Sequence, residues 1–181
     1  MLTMSSFRFQ YISCKFDALR PLKAAAKIRK ALQDLPQGLD ATYDRMLTSV
    51  KHEDQQQVVS VLKWLAFSLR PLLLEEVAEI FILDPNAEVP FDEENRPFKA
   101  DEVQGFLSGL VKIVPRYINR YDKGHTARRE TEAVEIRLAH FSIKEYLFSS
   151  RISQSPASIF SIHEIAAHAH ITDSCLAYHL D

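Results

Sequence analysis

The feature that most constrains the fold is a change of hydrophobic period near residue 111. Before it, apolar residues recur at intervals of three and four, as they do on one face of a helix. Over 111–118 and again over 134–138 they alternate with other residues, as in half-buried strands, and afterwards the helical interval returns. The pattern predicts a mainly α-helical fold with a small antiparallel β-element.

Four helices are predicted before this change, and the first three lie within 40–83. The first follows the break Pro36-Gln37-Gly38 and has Asp40 as its N-cap. The second ends at Arg70-Pro71, and the third covers 74–83 with glutamates in its first turn, where the helix dipole favours acids. Most of seven apolar residues of the first two helices are expected in the core: Tyr43, Met46, Leu47, Trp64, Leu65, Phe67 and Leu69.

A fourth helix, starting at Asp101, is predicted to lead into a β-hairpin. Its first strand covers 111–118, and Pro115, which has no N–H to donate, places this strand at an edge of the sheet. A polar tip over 119–131 follows, and the second strand covers 134–138.

The second strand is followed directly by a helix start. Ser142 and Glu145 have the spacing of a capping box, so a fifth helix is expected from Phe141 or Ser142. A final helix is predicted from Ile162, Ile165, Ala166, Ala169, Ile171 or Thr172, and Leu176. Helices followed by strand, loop, strand and helix is the order of a winged helix, in which a helical trio packs against a hairpin called the wing.

Composition excludes several classes of protein. Hydrophobic residues make up 46% and charged residues 25% of the 181, which is typical of a globular chain. The presence of only 4 glycines argues against a turn-rich β-fold. A net charge of −2 argues against electrostatic binding of nucleic acid by the chain as a whole. No apolar stretch approaches the roughly 20 residues that span a bilayer.

The compartment is inferred from the cysteines and the first residues. Cys14 and Cys175 form no C-x-x-C pair, which suits a reducing compartment, so a cytoplasmic location is expected. Residues 1–37 contain seven basic and two acidic residues with several serines, so mitochondrial import is the alternative.

Four segments carry a resemblance to a known family. They are 35–47 (LPQGLDATYDRML), 64–72 (WLAFSLRPL), 137–147 (RLAHFSIKEYL) and 175–178 (CLAY). They resemble the winged-helix region downstream of the NACHT domain in fungal signal-transducing (STAND-type) NACHT–ankyrin proteins, often labelled GPI inositol-deacylase winged helix domain. The sequence departs from that pattern at Leu73, where a Thr or Ser often caps the third helix.

The resemblance implies an organisation and partners. Residues 1–35 would be the C-terminal remnant of a NACHT ATPase unit, 36–150 the winged-helix domain, and 151–181 the truncated start of a following helical region. The implied function is a non-catalytic regulatory and interaction module in a fragment or truncated member of the family. Its partners would be the NACHT unit and ankyrin or other repeats, in cis or in trans. ADP or ATP would belong to the intact protein, with no cofactor in this chain.

The motifs for catalysis are absent from the sequence. A P-loop needs G-x-x-x-x-G-K-[ST], and none of the glycines precedes Lys-Ser or Lys-Thr. The lipase nucleophile motif G-x-S-x-G is also missing, so the deacylase label implies no such chemistry here. Histidines crowd the last helix, where Cys175 and His179 are one turn apart, but no second cluster completes a metal site. We therefore expect no enzyme activity and no bound metal.

DNA binding is the alternative function, because winged helices include DNA readers. Residues 72–111 contain ten acidic and two basic residues, a balance that phosphate would repel. The wing itself is basic, and it would supply the contacts in a small nucleic-acid-binding protein: Lys112, Arg116, Arg120, Lys123, Arg128 and Arg129.

His140 is the one candidate site residue. It ends the second strand beside a helix N-terminus, where anions are favoured. In related switch ATPases of the immune type, a His at this junction contacts the β-phosphate of bound ADP, so the resemblance implies a phosphate sensor in the intact protein. Phe141 stands where many of them have Asp. The alternative role for His140 is purely structural, fixing the turn through backbone hydrogen bonds.

Overall fold

The computed structural model describes residues 38–87, 90–91, 94, 105–107, 109–121 and 128–180. Within them the chain is mainly α-helical with a small three-stranded antiparallel sheet. The helices are α1 (Leu39–Thr48), α2 (Gln55–Phe67), α3 (Leu74–Phe81), α4 (Phe141–Leu147), α5 (Ser150–Ser153) and α6 (Glu164–Leu180), and the strands are β1 (Leu72–Leu73), β2 (Val111–Tyr121) and β3 (Arg128–Leu138).

The sheet has the order β1-β3-β2, so β3 is its central strand. Pro115 lies in the edge strand β2, which confirms the position predicted from its missing N–H. Pairing continues outward as far as Tyr121 opposite Arg128, so the predicted polar tip over 119–131 was too long. Backbone hydrogen bonds extend a ladder without apolar alternation once its register is set, and β1 is too short for any periodicity to indicate it.

Helix α1 begins two residues earlier than a cap at Asp40 would place it. Its N-cap is Gly38, whose φ of 148° favours glycine, and Thr42 Oγ1 donates to the Gly38 carbonyl at 2.7 Å. Asp40 lies in the first turn and forms an ion pair with Arg151 at 2.9 Å. The predicted role of Asp40 as N-cap was therefore wrong.

Helix α3 is capped by a carboxylate. The Glu76 side chain accepts from the Leu73 N–H at 2.8 Å, so it stabilises a helix start where Leu73 has no side-chain oxygen. Arg70 donates to both carboxylate oxygens of Glu76, at 2.8 and 2.5 Å, which fixes the segment between α2 and α3. These hydrogen bonds and the charge of Arg70 hold the pKa of Glu76 below its usual value, because they offset its partial burial.

One continuous core joins the helices to the sheet. Of the seven residues expected there, Tyr43 and Leu47 are fully buried, and Met46, Trp64, Leu65 and Phe67 are partly buried against it. Leu69 is fully exposed, so its prediction was wrong, because α2 ends at Phe67 and the chain turns away. Residues after 150 contribute to the same core, among them Ile152, Phe160 and Ile162. The domain boundaries given above stay predictions.

The last helix packs with a different face from the one its apolar pattern predicts. Helix α6 lies against α2 through small and half-buried residues: Ala167, His170, Ile171 and Ser174. Of the predicted positions, Ile162 is buried ahead of the helix and Ile171 is half-buried, whereas the others are exposed: Ile165, Ala166, Ala169, Thr172 and Leu176. Small residues allow the two helices to approach closely, so α6 packs on α2 with this face and leaves its larger apolar side chains exposed.

Two predictions concern residues that are only partly described. Of the helix expected from Asp101, positions 105 and 106 are helical, and Asp101 to Gln104 lie outside the described residues, as do residues 1–37.

Across the described ranges, none of the helices combines the length and apolar character needed to cross a membrane.

Truncation of a core leucine in α2 should destabilise the protein far more than truncation of Leu69 at its end. Leu62 is fully buried, so Leu62→Ala should lower the free energy of unfolding by ~2–5 kcal/mol. The exposed control Leu69→Ala should change it by less than ~0.5 kcal/mol. Urea denaturation followed by circular dichroism measures both, and equal losses would show that the position assigned to the end of α2 is wrong.

Candidate functional site

His140 is the N-cap of helix α4. Its backbone is extended, with φ −153° and ψ 150°, and its Nδ1 accepts from the Ser142 N–H at 3.2 Å. The same Nδ1 lies 2.7 Å from Ser142 Oγ. The N-cap predicted at Ser142 was therefore wrong, because the His140 side chain caps the helix and Ser142 lies inside its first turn.

These hydrogen bonds fix the protonation state of the His140 ring. A nitrogen that accepts from a backbone N–H carries no proton, so the neutral ring has its proton on Nε2. Burial lowers the pKa of His140 below 6.5, and the nearby Glu145 carboxylate opposes this shift without reversing it. His140 is consequently a neutral group near pH 7 that can donate a hydrogen bond through Nε2.

A buried polar chain extends from this cap to helix α1. Ser142 is 4% exposed, and its Oγ lies 2.7 Å from the hydroxyl of buried Tyr43. A second link forms one turn later, where the Tyr146 hydroxyl donates to Asp44 Oδ1 at 2.6 Å. Burial, with this hydrogen bond, raises the pKa of Tyr146 to about 12. Both links hold α4 against α1, so His140 is the outer end of a structural network.

A cavity of about 670 Å³ adjoins this network. Its lining includes Tyr43, Ser142 and three charged side chains, those of Asp40, Glu145 and Arg151. Within the described part of this lining Arg151 is paired with Asp40, so the charge left there is that of Glu145. These described residues are a poor environment for a phosphate group.

The structure also joins two residues that the sequence gives no reason to connect. Ser60 Oγ of α2 lies 2.7 Å from His170 Nε2 of α6, and Ser60 is 7% exposed. Both residues line a cavity of about 240 Å³ with Lys63 and Asp84. Burial, helped by the Lys63 charge, lowers the pKa of His170, and Asp84 and the neighbouring Asp173 oppose the shift.

A Ser–His pair can form a nucleophile with its general base, but the surroundings of Ser60 do not support that chemistry. Ser60 lies inside α2, where backbone N–H groups bond within the helix and are unavailable to stabilise an oxyanion. The pair is therefore best interpreted as a hydrogen bond that fastens α6 to α2. No sequence signal connects residues 110 positions apart, so this pairing could not be predicted.

The other histidines and the described cysteine are scattered. Cys175 is a free thiol, and His163, His168 and His179 are exposed around α6. Among the described residues no group of three or more His, Cys, Asp or Glu side chains is placed to hold a metal ion.

The basic wing is described only near its base. Arg116 and Arg137 bond the carboxylate of Glu135, which is buried in the sheet. The charge of Arg116 is therefore partly neutralised within the sheet, whereas Lys112 is exposed. The side chains of the four remaining basic residues lie outside the described part: Arg120, Lys123, Arg128 and Arg129.

Comparison with known proteins finds a relative in a filamentous fungus. The chain is 33% identical over 150 residues to "Azaphilone pigments biosynthesis cluster protein L" of Monascus ruber. The match covers 83% of this chain and 30% of that protein, so the chain spans about a third of the length of its relative. No protein-family profile matches the sequence, and no solved structure matches it.

The lowered pKa of His170 predicts how stability depends on pH. Because its pKa is below 6.5 in the folded protein, the unfolded chain binds more protons near pH 6. The contribution of His170 is therefore complete above pH ~7 and is lost as the pH falls through 6.5 towards the folded pKa. His170→Gln preserves a hydrogen bond to Ser60 without an ionisable ring, so its unfolding free energy should fall less between pH 7.5 and pH 5.5.

The control for this measurement is His163→Gln, which changes an exposed histidine at the start of the same helix. Urea titrations at each pH should give this control the same slope of stability against pH as the natural protein. If His170→Gln also retains the full slope, the burial of His170 does not lower its pKa in the folded protein.

Proposed function

We propose that the chain is a winged-helix regulatory and interaction module of a NACHT-type signal-transducing ATPase, without catalytic activity of its own. The fold supports the proposal, since helices α1, α2 and α3 share one core with a three-stranded sheet whose hairpin forms the wing.

The observation that carries the proposal is an apolar stripe on the outer face of α6. Ile165, Ala169, Thr172 and Leu176 follow one another at intervals of four, three and four residues, and all are exposed. Ile165 is 87% and Leu176 56% exposed, although both are large apolar side chains. An exposed apolar stripe with this spacing is typical of a helix that packs against another helix. A helix of the adjoining protein unit is the partner that this face fits.

His140 supports a regulatory role through its geometry. Its Nδ1 belongs to the α4 cap, so Nε2, which carries the proton of the neutral ring, is the atom that would donate to a phosphate oxygen. In the intact protein the other nucleotide contacts would come from the NACHT unit. Held by the Ser142 and Tyr43 links, the ring would report nucleotide state to α1 and the core.

Disruption of the α6 stripe should weaken binding to the NACHT unit. The double substitution Ile165→Ser with Leu176→Ser removes two exposed apolar side chains, so the fold should persist while the affinity for a purified NACHT unit of a fungal homologue falls at least tenfold. Isothermal titration calorimetry measures the affinity. Ile159→Ser, at an exposed isoleucine outside α6, is the matched control and should bind normally. Undiminished binding by the double variant would show that the stripe is not part of the interface.

Substitution of His140 should separate a nucleotide sensor from a helix cap. In a NACHT-containing homologue or fusion, His140→Ala removes both functions, whereas His140→Asn keeps a good N-cap and loses the imidazole. The Ala variant should lose ~1 kcal/mol of stability, and both variants should release ADP faster, as stopped-flow release of a fluorescent ADP analogue would show. If ADP release is unchanged in both variants and only the Ala variant is less stable, His140 is structural.

A further inference from the structure

A narrow groove of about 280 Å³ lies between α2, α3 and α6. Its walls are mainly apolar, with Trp64 of α2, Leu72 and Ile80 from the segment around α3, and Tyr178 of α6. Ser174 of α6 lies among them. Clefts of this kind, apolar with a few polar groups, are typical of sites for small molecules, although this one is at the small end of the range.

Two polar groups of this groove have no hydrogen-bond partner within the described part of the protein. They are the indole N–H of Trp64 and the hydroxyl of Ser174, both buried at the atom concerned. Ser174 is only 1% exposed as a residue. Buried donors are nearly always paired in folded proteins, because leaving them unpaired costs stability. Both can donate, so an oxygen acceptor inside the groove would satisfy them together.

The charge at the rim indicates which kind of oxygen is favoured. Glu76 and Glu79 line the groove, and the only guanidinium in its described lining, that of Arg70, is already bonded to both oxygens of Glu76. The guanidinium of Arg70 is therefore already engaged and not available to a carboxylate ligand, whereas a neutral carbonyl needs no counter-charge.

We propose that this groove binds a small, neutral, apolar molecule through one carbonyl oxygen, which accepts from Trp64 Nε1 and Ser174 Oγ. At roughly 30 Å³ for each water-sized volume, the groove holds about nine non-hydrogen atoms. The apolar remainder of the ligand would lie against Leu72 and Ile80. This site is separate from His140 and from the α6 stripe, and it does not depend on the function proposed above.

Three aromatic probes of similar size test the proposal on the natural chain. Acetophenone has the carbonyl, ethylbenzene lacks it, and benzoate replaces it with a carboxylate. Trp64 is the single tryptophan of the chain, so its indole N–H gives one signal in a ¹H–¹⁵N spectrum. Acetophenone should shift this signal downfield and bind with a Kd of ~0.1–1 mM. Ethylbenzene and benzoate should each bind at least about fivefold more weakly.

Ser174→Ala supplies the independent test, because it removes one donor with little change of shape. It should weaken acetophenone binding about fivefold and leave ethylbenzene binding unchanged. Ser158→Ala, at an exposed serine before α6, is the control and should bind all three probes normally. Equal affinities of acetophenone and ethylbenzene would overturn the carbonyl assignment. So would an acetophenone affinity that Ser174→Ala leaves unchanged.

The groove could instead be filled in solution by another part of the chain. Cys175 lines it, so alkylation of this thiol by N-ethylmaleimide, followed by peptide mass spectrometry, reports access. Fast alkylation that acetophenone slows supports the proposal. An unreactive Cys175, together with no response of the Trp64 signal to any probe, would show that the groove is occupied and would overturn it.

Discussion

Ile136 of β3 is the residue on which the arrangement of the sheet depends. It is fully buried and lies opposite Leu72 of β1 on one side and Ile113 of β2 on the other. Because side chains alternate along a strand, a slip of one residue would turn Ile136 away from the core and put a charged neighbour in its place. That neighbour, Glu135, is buried with Arg116 and Arg137 as partners, so the opposite face also specifies the register.

The register of β3 in turn positions the candidate site. The Ala139 N–H bonds the Leu110 carbonyl at 2.9 Å, which closes the end of the hairpin, and His140 follows at once as the cap of α4. From there the Ser142–Tyr43 hydrogen bond ties α4 to α1. A continuous series of hydrogen bonds therefore connects the β2–β3 hairpin to α1. It consists of the strand pairing, the α4 cap and the buried hydroxyls. A phosphate that bonded His140 would act on a rigid junction.

Helix α6 has three surfaces with different roles. Its small residues pack on α2, where Ser60 and His170 form a hydrogen bond. On one flank Ser174 and Tyr178 help to line the groove between α2 and α3, and on the outer face Ile165 and Leu176 remain exposed. Helix α6 contacts the core, the candidate ligand and the candidate partner. Through it, a ligand in the groove would be able to affect partner binding at the outer stripe.

The sequence by itself determined the type and order of the longer helices and of the two hairpin strands, because hydrophobic period and backbone chemistry are local properties. The period change at Val111 gave the hairpin, and Pro115 gave its edge strand. Tertiary structure decided what local patterns cannot encode. The apolar pattern of α6 predicts packing through the Ile165 face. The helix instead packs through Ala167 and Ser174, because close approach to α2 needs small residues there. The pairing of Ser60 with His170, and the meeting of Trp64 with Ser174 in one groove, follow from how α2 and α6 cross. Contacts across about 110 residues depend on that crossing, which no spacing in the sequence specifies.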